Sequence, residues 1–126
     1  FPLLDIEVKQ WKKETEVEDL QLFDIGIYPL IEDEWSLGKG AMKAMHYMAI
    51  GIPVVATDYG TTSLVVKNGE NGLLVNTEKE WVDALELLIK DRKLRKEFGA
   101  RGREIFENNF STNTVKSMYL SALDEV

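Results

Sequence analysis

The chain has 126 residues, 44% hydrophobic and 29% charged, a size and balance that suit one soluble globular domain with its own buried core. It has no cysteine and a single histidine, which excludes disulfide scaffolds, thiolate zinc sites and cysteine nucleophiles and leaves metal chemistry poorly supplied. A formal charge of -7 argues against a general nucleic-acid binder, whose phosphate contacts need a basic surface. No apolar run approaches the roughly 18 residues needed to span a bilayer, and no basic-then-apolar signal segment opens the chain, so the default setting is cytoplasmic. The charge is uneven: seven of the fifteen basic residues fall between Lys90 and Arg103, whereas the first 34 residues carry ten acidic side chains and three lysines. Two solvated helix faces would account for this.

In chain order, Leu4-Asp5-Ile6-Glu7-Val8-Lys9 alternates apolar and polar residues and reads as a half-covered strand near a sheet edge. Thr15 and Glu18 have capping-box spacing, and Val17 with Leu20 gives an apolar stripe, so a short helix is predicted to about Phe23. Asp24 to Leu30 reads as a short buried strand stopped by Pro29, followed by the acidic loop Glu32-Asp33-Glu34. A helix is predicted from Lys39 to about Ile50, with Ala41, Met42, Ala44, Met45, Met48 and Ala49 clustered on one side and Gly51 ending it.

Pro53-Val54-Val55-Ala56-Thr57 is a continuous apolar run of the kind found in strands covered on both faces. A short helix over 61–67 closes on the turn signal Asn68-Gly69, and Gly72 to Val75 supplies a fourth strand. Thr77 and Glu80 form a second capping box, leading a helix to about Lys90 that carries Trp81, Ala84, Leu85 and Leu88 on one face. Asp91 caps a further helix with Leu94, Phe98, Ile105 and Phe106, weakened in its middle by Gly99 and Gly102. Ser111 caps the last helix, whose Val115, Met118, Tyr119, Ala122 and Leu123 share a face that needs a partner surface.

Strands alternating with helices predict an α/β domain, a Rossmann-like parallel sheet of about four strands with flanking helices. A full doubly wound domain usually has five or six strands, and this chain opens inside the alternation without an initiator methionine. A part upstream of Phe1 is therefore expected.

In open parallel sheets, ligands sit outside the carboxyl ends of the strands. The loop after the Ile25-to-Tyr28 strand delivers Trp35-Ser36-Leu37-Gly38-Lys39-Gly40 into a helix start, where free N–H groups and the helix dipole favour an anion. Gly38 and Gly40 permit close backbone approach, and Lys39 adds a mobile point charge suited to phosphate. At about 100° per residue, Lys39, Lys43 and His46 share a face opposite the methionines and alanines, so the lysines could neutralise a diphosphate and the imidazole could bond a sugar or ribose hydroxyl. A solvated polar stripe would give the same spacing. The triplet is not a Walker A loop, because no glycine stands five residues before Gly38 and no Ser or Thr follows Lys39, and no G-x-G-x-x-G occurs.

Asp24-Ile-Gly-Ile-Tyr-Pro-Leu, then Gly38-Lys-Gly-x-x-Lys, Tyr47-Met-Ala-x-Gly-Ile-Pro-Val-Val-Ala-Thr and Asn68-Gly-x-Asn-Gly-Leu-Leu-Val together resemble the group 1 glycosyltransferases. The resemblance covers most of residues 24–90 in order. It implies the GT-B architecture, two Rossmann-like domains facing a cleft, with this chain as the C-terminal, nucleotide-sugar-binding one and an N-terminal acceptor domain elsewhere in the full-length chain. By the resemblance, Gly38 and Lys39 meet the donor diphosphate. His46 stands where many relatives carry a ribose-binding glutamate, a departure from the pattern of two glutamates eight positions apart, since counting back eight from His46 reaches Gly38. Glu34 would serve the sugar. Lys39, His46 and Glu34 are thus the expected catalytic groups, and Gly38, Lys39, Gly40, Lys43, His46, Tyr59, Gly60, Thr61 and Thr62 the expected donor-binding set, the last four as a cleft loop whose N–H groups can meet phosphate or sugar oxygens. Asp58 reads as a turn residue.

The resemblance also implies transfer of a sugar from a nucleoside-diphosphate sugar to an acceptor hydroxyl, generally with retention of configuration, with no metal and no cofactor required and with the isolated fragment inactive. The basic stretch from Lys90 to Arg103 could let the intact enzyme touch an anionic membrane peripherally, and apolar surface left uncovered could drive self-association. Two other readings stay open. A receiver-like signalling module would use Asp58 at a strand end but needs an acidic pair ending the first strand, which instead ends in Val8-Lys9. A sugar-nucleotide epimerase would share the fold.

Overall fold

The computed structural model describes residues 6–10, 12–31 and 41–124. Its elements are α1 (Glu16–Gln21), β1 (Gly26–Tyr28), α2 (Met42–Ala49), β2 (Val54–Thr57), α3 (Thr62–Val65), β3 (Gly72–Val75), α4 (Glu78–Lys90), α5 (Arg92–Asn109) and α6 (Thr112–Asp124). The strands form a parallel sheet in the order β1-β2-β3, with Gly26 opposite Val54 and Val54 opposite Gly72. β2 is central and all four of its residues are buried, as its unbroken apolar run requires.

Side chains of a strand alternate between faces, and β2 uses both. Val54 and Ala56 join a core with Ala44, Tyr47, Met48 and Ile105, while Val55 packs with Val75, Ala84, Leu88 and Phe98 on the other face. The sheet is thereby covered on two sides. α4 opens with a complete capping box, Glu80 N–H donating to Thr77 Oγ1 at 3.1 Å and Thr77 N–H to Glu80 Oε1 at 3.2 Å. Asp91 caps α5 through Leu94 N–H, and Ser111 caps α6 through Thr114 N–H.

Three expectations are corrected. Residues 6–10 have no regular structure, and Ile6 and Val8 are 60% and 89% exposed; no described strand takes up their ladder bonds, so the sheet of described residues has three strands. Leu4 and Asp5 lie outside the described residues. The Thr15 box does not form, because Thr15 has ψ 0 and its side chain makes no cap bond. Gly99 and Gly102 lie inside α5, which runs unbroken through them. A Cβ at Gly99 would fall on the Gly51 carbonyl, whereas one at Gly102 would meet Asn71 and Met48 at ordinary contact distance, so Gly99 is what lets α5 lie against the turn that ends α2. Finally, Val115, Met118 and Leu123 of α6 remain exposed, so the described residues do not supply the partner face predicted for that helix.

Candidate functional site

The carboxyl ends of the three strands lie along one edge, and the segments leaving β1 and β2 are tied together there. Thr57 Oγ1 accepts a 2.8 Å hydrogen bond from Leu30 N–H. Asp58 N–H donates to Val75 O at 3.0 Å and Tyr59 N–H to Thr57 O at 2.9 Å, so the β2 exit folds tightly over the edge. Gly60 then turns the chain at φ 63, a left-handed conformation that glycine adopts without strain. Thr62 is buried, and both its N–H and its hydroxyl donate to Tyr59 O. Of the predicted loop, Gly60 is exposed with Tyr59 and Thr61 half-buried beside it, whereas Thr62 builds the turn from beneath.

The second component of the edge is the start of α2. Ala41 precedes it in the left-handed region, φ 54 and ψ 31, with 1% of its surface exposed. For an alanine this costs about 1–2 kcal/mol. The first ladder bond runs from Met45 N–H to Ala41 O, and alanine has no side-chain acceptor for the N–H groups of Met42, Lys43 and Ala44, which carry the positive end of the helix. Of the predicted helix over 39–50, the structure gives α2 from Met42 to Ala49, with Ala41 as the turn before it. Glu34, Gly38, Lys39 and Gly40 lie outside the described residues.

Lys43 and His46 share a face of α2 as the spacing predicts, and that face looks onto α1. His46 Nδ1 stands 3.7 Å from Glu16 Oε1, and Lys43 Nζ lies 5.9 Å from the Tyr47 ring centroid. A hollow of about 520 Å3 opens here, lined among others by Glu7, Glu16, Asp19, Phe23 and Lys43. Its carboxylates do not suit a phosphate but can accept from hydroxyl groups. Tyr47 is 4% exposed and donates to Ile27 O at 3.1 Å. Burial raises its pKa above the usual phenol value, opposed by that hydrogen bond.

Residues that sequence reasoning did not single out also shape the two edges of the sheet. Thr57 could have been noticed as the polar end of an apolar strand, and Asn71 as the second fixed asparagine of its motif. Asn71 is fully buried; its Oδ1 accepts from Lys67 N–H at 2.7 Å and its amide donates to Val65 O, closing the α3–β3 loop. Glu16 and the left-handed Ala41 carry no sequence signal. Among the described residues no group of His, Asp and Glu is placed to hold a metal, and no helix is long and apolar enough to cross a membrane.

A parallel sheet with an uncapped helix start and a glycine turn at its carboxyl edge defines an α/β domain of the kind that binds ligands at strand ends. The family profile of the glycosyl transferases group 1 matches residues 8–105, and the chain belongs to that family. It is 35% identical over 83 residues to the capsular polysaccharide biosynthesis glycosyltransferase CapM of Staphylococcus aureus, covering 61% of this chain and 22% of that one. It is 41% identical over 81 residues to a D-inositol 3-phosphate glycosyltransferase of Corynebacterium aurimucosum, covering 63% and 18%. Among solved structures it is similar to the C-terminal domain of a group 1 glycosyl transferase, LpcC, of Francisella tularensis, with TM-score 0.67, 24% identity, and 83% and 53% of the two chains covered. TarM of S. aureus matches with TM-score 0.63 and 23% identity over 85% of this chain and 21% of that one. The fold is that of the C-terminal domains of GT-B glycosyltransferases. The match spans about a fifth of the length of the first two relatives named.

Proposed function

We propose that this chain is the donor-binding part of a glycosyltransferase that moves a sugar from a nucleoside-diphosphate sugar to an acceptor hydroxyl with retention of configuration. The observation that carries this reading is the start of α2: a strained, buried alanine and three N–H groups without an acceptor among the described residues, set at the carboxyl edge of a parallel sheet. Strain of this kind persists where the surroundings hold it, commonly at ligand clamps, and such a helix start favours an anion. TarM, whose fold is similar, was crystallised with UDP.

In this reading Gly38, Lys39 and Gly40 lead into the helix start and Lys39 pairs with the diphosphate. Gly60, with Tyr59 and Thr61, forms the facing wall, and Thr62 sets the turn. Lys43 and His46 stand toward the ribose, and Glu34 toward the sugar. The acceptor hydroxyl attacks the anomeric carbon on the face that the diphosphate leaves as the bond from that carbon to the diphosphate oxygen breaks; negative charge grows on that oxygen, which then takes the hydroxyl proton. The N–H groups of α2 face that charge beforehand and Lys39 adds a positive charge, so the growing charge is stabilised more in the transition state than in the ground state. The acceptor is held by a separate N-terminal domain of the full-length protein, which acts in the cytoplasm, and the 126-residue chain alone binds donor without turning it over.

Nuclear magnetic resonance on the 15N-labelled chain tests this. Millimolar uridine or guanosine diphosphate should shift the amides of 41–44 and 59–61, and spectra unchanged at those positions would contradict the reading.

A further inference from the structure

A second concave surface lies at the opposite, amino edge of the sheet, where the chain enters β1 and β2. It encloses about 230 Å3 and is lined by Asp24, Pro53, Arg92, Arg95 and Lys96 over a wall that includes Phe23. Arg95 is held in place by its own fold: Nη1 donates to Leu88 O at 2.7 Å and Ile89 O at 2.9 Å, which leaves its Nε and Nη2 donors without described partners. Arg92, Lys93 and Lys96 form no ion pair with a described residue, whereas farther along α5 Arg101 pairs with Glu70 and Glu104, and Arg103 with Glu107. The basic residues of this helix without an acidic partner among the described residues are thus those of its first turns, and all of them but Lys93 line the hollow.

The position sharpens the contrast. These cations occupy the first turns of α5, at the positive end of the helix, where an acid is favourable and a cation is not. Helix stability does not explain them. The chain as a whole is acidic, with formal charge -7, so the cluster is a local reversal of the protein's field. Guanidinium groups present paired donors that match phosphate oxygens, and a lysine adds a point charge.

We propose that the Arg92, Arg95 and Lys96 hollow is a phosphate-binding site, distinct from the carboxyl edge, for a phosphate group carried by a small soluble molecule or by an anionic lipid headgroup. A phosphate there would lie between the fixed Arg95 and the mobile Arg92 and Lys96, with Asp24 opposing it. The opposition supplies an internal control, since removing that carboxylate should strengthen the site.

The test is titration of the 15N-labelled chain with inorganic phosphate at constant ionic strength. Saturable shifts are expected at 51–53 and 92–96. The double variant Arg92→Gln with Lys96→Gln, at exposed positions, should weaken binding about tenfold through two lost charge-assisted contacts, and Asp24→Asn should tighten it about threefold. Vesicles of phosphatidylcholine with phosphatidic acid separate the two sources. Co-sedimentation that the double variant abolishes identifies a lipid headgroup, and saturable phosphate shifts without co-sedimentation identify a soluble phosphate. Shifts that do not saturate, or that persist unchanged in a double variant with otherwise native spectra, overturn the proposal whatever the vesicles do. A failure of nucleotide binding at 41–44 and 59–61 would leave these outcomes untouched.

Discussion

Two capping boxes with identical spacing, Thr15 to Glu18 and Thr77 to Glu80, meet different fates. Thr77 leaves β3 in an extended conformation, φ -101 and ψ 159, and both reciprocal hydrogen bonds form. Thr15 ends a turn closed by its own N–H on Lys12 O, sits at ψ 0, and caps nothing. A box needs its first residue extended, and what precedes the box decides that. The same division runs through the molecule: α4 and α5 open on side-chain caps from Thr77 and Asp91, while Thr15 and the left-handed Ala41 give α1 and α2 none. The first region builds the scaffold, and the second carries the N–H groups that no described side chain caps.

The strongest way to break this comparison is Gly99→Ala. Alanine's helix propensity returns about 1 kcal/mol, but its Cβ would collide with the backbone carbonyl of Gly51, and separating two backbones costs about 3 kcal/mol. A net loss of about 2 kcal/mol is expected by urea denaturation. A stabilised variant would show that α5 is not in close contact with the α2 turn. Next in size, Thr77→Ala should cost about 1 kcal/mol, whereas Thr15→Ala should be nearly neutral, since its side chain makes no cap bond; equal losses would erase the contrast.

A smaller effect belongs to Tyr47. Its pKa is raised chiefly by burial, so the folded state holds the phenol proton more tightly than the unfolded chain does. This contribution is fully present below the ordinary phenol pKa of about 10 and is lost as pH rises through the folded value. Stability should therefore fall above about pH 10 more steeply than in Tyr47→Phe, as thermal melts across that range would register.

The readability of the chain follows the same line. The run Val54 to Thr57, the α4 stripe of Ala84 and Leu88, and the caps Thr77, Asp91 and Ser111 were legible because periodicity and local hydrogen bonding decide them. Leu4 to Lys9 alternates correctly, yet residues 6–10 form no strand, since a strand also requires a neighbour to pair with. The glycines of α5 read as weak points because a sequence shows the helix they loosen and not the turn they approach. At the site, Gly60 and the helix following Gly40 were placed at the right edge by the strand–loop–helix order. Ala41's left-handed turn was not, because nothing local favours it, and the face shared by Lys43 and His46 could be derived while its neighbour α1 could not.

The central claim is that the uncapped start of α2 holds the donor diphosphate, and Met42→Glu addresses it most directly. Met42 is 67% exposed in the first turn, where an acid should stabilise the helix by about 0.3–1 kcal/mol while repelling a diphosphate. Calorimetric titration with a nucleoside diphosphate, alongside a thermal melt, should give a variant at least as stable as the parent with affinity reduced about tenfold or more. Unchanged affinity in that stable variant would contradict the account.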